Sequence, residues 1–491
     1  MELVWKELDP VRLTGSFESS VLVEGLLPPP EGRGVEEILC SDATVGIDTV
    51  KLGDGCAEIF GTITAKLLVR DGEGIYAFDS KADFTHTAEA EGASAGMEAS
   101  ASASVRSLKM QLAEGGAAMS AEISIFVTMT SETPFRVIGG VNGITDLELK
   151  TETASAIKRT VLGSEKLRMR EELAEAGIAE VLTCGGIVTV RDAIADRDGV
   201  TVSGVLMLNA LTKDGDGRIS SLQRQVPFRE KLGIEASPGR VECTAVPLRT
   251  ELHTLGEEFA IAAMEAEILF TVYGSERQEL TFPTDAFSPS MGFDCLIDEA
   301  EILSYSGRSS HQAQLKETLD LPDSMAEMAY PMLAAARPQI TAVEADEAEL
   351  TVSGILTTTV VYESMGANVY SYTDDIPFCV KLASDYACNM PQAQCECAVQ
   401  ITGSTERSLQ LLINMQFEID RLDTTVISTV AGLAEREPAA RMPGLLIGFA
   451  SNGEGVFDIA KRYSVSCESV RRLNPDIAEP FVEGERLLLL V

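Results

Sequence analysis

Alternation of apolar and polar residues, the period of a half-buried strand, runs through most of the chain. It is clearest in EIFGTITAKLLV around Gly61, TVSGVLMLNALT around Gly204 and TVSGILTTTVVY around Gly354. Each glycine follows an alternating run and precedes a β-branched strand, where its missing side chain permits a bulge or a close backbone approach. Further strands are predicted at 97–107, 241–252 and 395–404, and again at 121–130, 266–274 and 409–419. RDG at 197–199 and DGDG at 214–217 read as turns between such runs. The pattern predicts a mainly β fold, each unit a sandwich or a partly closed barrel.

The three glycines head three copies of one unit. Phe84, Phe228 and Phe378 follow them by 23, 24 and 24 residues, and Leu39, Leu182 and Leu333 precede them by 22, 22 and 21. Three landmarks held in register three times define tandem units at 15–143, 144–306 and 307–432, after an N-terminal segment at 1–14. Two connecting stretches, KLRMREELAEAGIAEVL (166–182) and LPDSMAEMAYPMLAAA (321–336), are rich in helix formers and predict helices, the second broken at Pro331. Residues 433–443, charged and proline-bearing, read as a linker.

Residues 444–491 change character: strand, helix, helix, strand. Val456, Phe457, Ile459 and Ala460 show helical core spacing, Ser466 is a candidate N-cap for a second helix, and Asn474-Pro475-Asp476 ends it. FDIAKRYSVSCESVRRLNPDI followed by EGERLLL resembles the LysM module. The resemblance implies a βααβ fold that binds N-acetylglucosamine units between two loops. Carried onto this chain, the contact residues are Ser451, Asn452, Gly453, Glu454, Gly455 and Val456 in one loop and Asn474, Pro475, Asp476 and Ile477 in the other. Where the family has a hydroxyl residue before its first helix this chain has Gly453-Glu454-Gly455, so the loops face either a glycan or a protein partner.

The three units with their x-V-x-G strand and following phenylalanine, closed by one LysM-like module, are similar to the SPOCS-domain proteins of endospore-forming Firmicutes. Units two and three carry the pattern with Pro227-Phe228 and Pro377-Phe378; unit one has Asp83-Phe84. The resemblance implies a structural adaptor in spore-envelope assembly, in the mother-cell cytoplasm at the forespore surface. Its partners would be spore morphogenetic or coat proteins, peptidoglycan, or both, and it supplies no catalytic residues. The alternative is a peptidoglycan-binding protein acting mainly through the LysM-like module.

Composition narrows the chemistry. At 491 residues the chain needs three or four cores. Its 76 Asp and Glu against 39 Lys and Arg leave −37, a field that repels phosphate backbones and anionic membranes. No run approaches a membrane helix, and MELVWKELDPVRL lacks the basic-then-apolar order of a cleavable signal. Cys379, Cys388, Cys395 and Cys397 lack zinc spacing and read as small core residues, and the Asp214–Gly217 loop lacks the further ligands of a calcium site. His86, His253 and His311 stand alone, without a nucleophile motif. The expectation is a binding protein with no cofactor, no metal and no enzymatic activity.

Overall fold

The structure, a computed structural model, describes residues 2–173, 177–255, 261–346, 349–384, 388–437 and 444–491. Strands dominate. Unit one contains β1 (Glu2–Leu8), β2 (Arg12–Leu27), β3 (Glu37–Gly53), β4 (Cys56–Asp71), β5 (Gly74–Glu89), β6 (Glu98–Ala113), β7 (Gly116–Ser131) and β8 (Phe135–Asn142). Unit two contains β9 (Glu148–Leu173), β10 (Glu180–Asp196), β11 (Gly199–Lys213), β12 (Ile219–Leu232), the two-residue β13 (Gly239–Arg240), β14 (Glu242–Leu255) and β15 (Ile261–Phe287). Unit three contains β16 (Gly292–Asp320), β17 (Met328–Ala345), β18 (Glu349–Ser364), β19 (Val369–Ala383), β20 (Met390–Ser404) and β21 (Ser408–Arg436).

Each unit is a sandwich of two antiparallel sheets. In unit one, β3-β4-β5 faces β2-β7-β6; the same plan gives β10-β11-β12, with β13 beside β10, against β9-β15-β14, and β17-β18-β19 against β16-β21-β20. Strand β2 pairs with β16 at Arg12 and Ile302, so that the outer sheets of units one and three form one six-stranded sheet. No sheet closes into a barrel. One apolar core fills each sandwich, as with Ile59, Ile63, Ile123 and Ile125 in the first. The expected boundary at 306/307 falls inside the continuous β16, so the third unit begins near Gly292.

The two expected helices are strands. Residues 166–173 complete β9, 174–176 lie outside the described residues, and β10 begins at Glu180. Leu167 and Met169 alternate with Lys166, Arg168 and Arg170, and both apolar side chains pack on the unit-two core. Pairing with β15 therefore overrides helix propensity, a weak prior. Residues 328–336 likewise belong to β17, whose only ladder partner is β18. Pro331 is tolerated there because an edge strand has amides that need no strand partner.

The sequence landmarks prove to be contacts. Gly61, Gly204 and Gly354 pair directly across the ladder with Phe84, Phe228 and Phe378. A Cβ at each glycine would lie 2.6, 2.6 and 2.7 Å from the partner ring. It would also strike the backbone carbonyl of Gly46, Thr189 or Gln339 on the other neighbouring strand, which is bulged at that level in every unit. The ring thus covers the glycine and fills the space of its absent side chain.

A second bulge in the same strand carries the upstream landmark. Leu39 and Leu182 are the residues left unpaired, but in unit three the unpaired residue is Met332, not Leu333. The structural spacing is therefore 22 residues before the glycine in all three units. These bulged side chains meet one another. Leu39, Leu68, Leu211, Ile219, Met332 and Val361 form one buried cluster, two from each unit, with Leu182 packed against it. Around it β5 contacts β10, β12 contacts β17 and β19 contacts β3, so the units close into a ring of three.

A second shared core lies where the outer strands run past the sandwiches as two-stranded ribbons, β1 with β8, the start of β9 with the end of β15, and the start of β16 with the end of β21. Each ribbon contributes three residues to it: Leu8, Phe135 and Val137; Ala156, Leu280 and Phe282; Ala300, Ile302 and Ile427.

Two substitutions test these contacts. Gly204→Ala overfills the Phe228 contact and should destabilise the protein by about 1–3 kcal/mol in denaturant titration, whereas Gly215→Ala in the open turn should not. Leu211→Ala on the axis should cost about 2–5 kcal/mol and expand the molecule in small-angle scattering, since three sandwiches lose part of what joins them.

Candidate functional site

The C-terminal module has the expected order: β22 (Leu445–Phe449), α1 (Val456–Tyr463), α2 (Cys467–Leu473) and β23 (Arg486–Leu490), with the strands paired antiparallel. Val456, Ile459, Ala460, Val465, Val470, Phe481, Leu487 and Leu489 form its core. Gly448 is needed because a Cβ there would sit 2.7 Å from Leu489 and 3.2 Å from the Tyr463 ring. Ser466 caps α2, its hydroxyl accepting from the Ser469 amide at 3.1 Å. Gly455 offers α1 no side-chain cap, and the Asp458 carboxylate compensates by accepting from the Gly455 amide at 2.9 Å.

The first expected loop spends every backbone amide internally. The amides of Ser451, Asn452, Gly455 and Val456 donate to Glu454, Glu483, Asp458 and Glu479 carboxylates at 2.8–2.9 Å. Those of Gly453 and Glu454 donate to the carbonyls of Phe481 and Ser451 at 2.9 and 3.2 Å. Val456, an expected contact residue, is wholly buried in the module core. In the second loop Pro475 and Asp476 are exposed and Ile477 packs against the core. The Asn474 side chain bonds both ways to the Leu488 backbone, at 2.7 and 2.8 Å, and ties α2 to β23.

Glu479, which the sequence reading passed over, joins the two loops: one oxygen accepts from the Val456 amide and the other faces Arg471 at 3.3 Å. Glu454 is ion-paired with Arg462. The first loop is therefore closed on its own carboxylates and carbonyls, with every backbone amide from Ser451 to Val456 donating within the module.

The module is seated on the ribbon of unit two. Phe457 stacks edge-on against Phe287 with ring centroids 5.1 Å apart. Lys461 bonds Asp285 at 2.5 Å, Lys150 bonds Asp458 at 3.1 Å, and the Cys467 amide donates to Glu148 at 3.2 Å. Burial beside Glu148 pushes the Cys467 thiol up to about 12. The expected linker falls partly in β21, which runs to Arg436, and 438–443 lie outside the described residues.

A cleft of about 780 Å³ between units two and three is lined by Arg240, Glu242, Tyr273, Arg308, His311 and Arg421, among others. At its wall the Arg159 guanidinium lies between the Tyr273 and Tyr305 rings, 3.6 and 4.4 Å from their centres. Glu242 and Asp420 flank it at 3.5 and 3.7 Å. Desolvation, then the Asp420 charge, raises the Tyr305 phenol and keeps it a donor to Asp420 at 3.0 Å. The same burial pushes Cys40, Cys243 and Cys395 up to about 12, so these thiols stay protonated. Cys388, Cys395 and Cys397 pack on the unit-three core, whereas Cys379, expected in the core with them, is exposed on β19; the Asp214–Gly217 segment is a turn closed on the Asp214 carboxylate, and His86 bonds Ser19 at 2.7 Å. Among the described residues no group of three or more His, Cys, Asp or Glu is placed to hold a metal ion. No helix is long and apolar enough to cross a membrane.

Phe287→Ala should unseat the module at a cost of about 3–5 kcal/mol, read as a separate, lower melting transition for the module with the melting of the three sandwiches little changed.

No curated protein and no solved structure matches the chain. Residues 34–113 match the family model described as SipL, SPOCS domain. That segment spans β3 to β6 of unit one, the unit whose Asp83-Phe84 departs from the proline pattern. It includes the Gly61–Phe84 pair and the bulged Leu39, the two contacts that recur in units two and three. The first unit of this ring is therefore similar to the SPOCS domain over residues 34–113.

Proposed function

We propose that the chain is a non-enzymatic adaptor in spore-envelope assembly, a ring of three SPOCS-like sandwiches carrying a LysM-like docking module. The observation that carries this reading is the SPOCS match in unit one together with the recurrence of its two defining contacts in the other units. The ring supplies a rigid body, and the module, seated on one ribbon, supplies the specific contact. Mother-cell location and coat or morphogenetic partners belong to the same reading.

Between the two ligands expected for the module, its loops favour protein. A sugar held by backbone hydrogen bonds needs unspent amides, and Ser451 to Val456 have none. Freeing one without a replacement acceptor costs about 1–3 kcal/mol, which a weak glycan contact does not return.

The test uses the full chain. It should stay in the supernatant when purified peptidoglycan is sedimented, and should capture a defined envelope protein from sporulating cells. Sedimentation with peptidoglycan at micromolar concentration would overturn the protein-docking reading in favour of the glycan one. Glu479→Ala, which removes the carboxylate joining the loops and leaves the Val456 amide without its acceptor, should destabilise the module by about 1–3 kcal/mol in denaturant titration.

A further inference from the structure

One apolar surface has no occupant among the described residues, the outward face of the β22–β23 ribbon. Cross-strand pairing sets Leu445 beside Leu490 and Ile447 beside Leu488, with Phe449 next to Arg486. Alternation would ordinarily make such a face polar. Here Leu445, Ile447, Phe449, Leu488 and Leu490 are between 41% and 63% exposed, while the inward Leu487 and Leu489 are fully buried. Both faces of one two-stranded ribbon are apolar.

We propose that this face is a self-association surface through which two copies of the chain pair across a two-fold axis. Three observations choose a second copy as occupant. The ten residues of the ribbon include one charged side chain, Arg486, so a partner recognised by charge would find almost nothing to read. The module's other contacts are spent on unit two through Phe287, Asp285, Lys150 and Glu148, which leaves this face outside the intramolecular docking. The area is also of the right order. Five half-exposed apolar side chains present roughly 500 Å², at the upper end of patches on monomers. Two such faces bury roughly 1,000 Å², the threshold for a specific interface. An apolar patch is its own complement, and homodimer interfaces are the more apolar class.

Charge then makes a signature. Two chains of −37 each repel at distance, so an apolar contact between them strengthens as salt screens that repulsion. A contact with a basic partner would weaken instead. The proposal goes beyond the adaptor reading: pairing joins two rings through their modules, whatever each ring binds.

Sedimentation velocity on the full chain tests it. The expected result is a monomer–dimer equilibrium with Kd about 1–10 μM, tightening between low and high sodium chloride. The double substitution Ile447→Lys and Leu488→Lys should weaken it about a hundredfold or more, with the thermal transition unchanged because both side chains point outward. Leu22→Lys, on an exposed apolar position of unit one, should leave the dimer intact and controls for added charge. A second pair at the far end of the ribbon, Leu445→Lys with Leu490→Lys, repeats the test should the first disturb folding. A chain that stays monomeric at every salt and concentration overturns the proposal. So does a dimer that survives both ribbon variants, or one that weakens with salt.

Discussion

Three sandwiches on one chain need not touch; these do because each is left incomplete by the same bulge. The bulge at Leu39, Leu182 or Met332 turns an apolar side chain out of its own sheet, where an isolated unit would leave it in water. The third strand shows the consequence directly. Its buried positions alternate until they reach Leu67-Leu68-Val69, Ala210-Leu211-Thr212 and Val360-Val361-Tyr362, where three in a row are buried. The outer residues of each triplet face the unit's own core and the middle one faces the other two units. Burial at about 25 cal/mol per Å² of apolar surface makes the ring the favoured state of the units.

Much of this was legible in the sequence, and the residues say why. The glycine and phenylalanine landmarks lie on adjacent strands joined by a short turn, so their spacing is fixed locally and survives as a repeat. The leucine landmark slipped by one in unit three because Met332 does the same packing as Leu39, and a search for leucine settles on the neighbouring Leu333. The two expected helices failed where Leu, Met, Glu, Lys and Arg, good helix formers, were held in strands by a distant partner. The ribbons were invisible for a related reason: Leu8, Phe282 and Ile427 meet from opposite ends of the chain, and no local pattern announces that. The module's order was read correctly, while Val456, placed among contact residues, belongs to the core of α1.

Charge specifies what apolar burial leaves loose. The ring's two shared cores would tolerate small rotations of one unit against the next. Arg159 from β9, held between Tyr273 and Tyr305 and flanked by Glu242 and Asp420, spans units two and three and sets their relative position. Such a partly desolvated cluster is weak evidence for added stability, since desolvation offsets much of the attraction. Its value lies in geometry: a planar guanidinium between two rings has one good orientation.

The same reasoning separates the module's two surfaces. A carboxylate that accepts from a backbone amide near a helix start is well placed, and Asp458 and Glu479 both occupy such positions at α1. They stabilise the loop that the missing hydroxyl cap would otherwise leave loose, and in doing so they consume the donors a glycan would use. The glycine-rich loop thus traded a ligand-facing edge for internal closure. What the module keeps facing solvent is instead the row Leu445, Ile447, Phe449, Leu488 and Leu490, which nothing in the sandwiches covers. The hydrogen-bonding groups of the first loop thus hold the fold together, while the apolar area of the ribbon stays exposed.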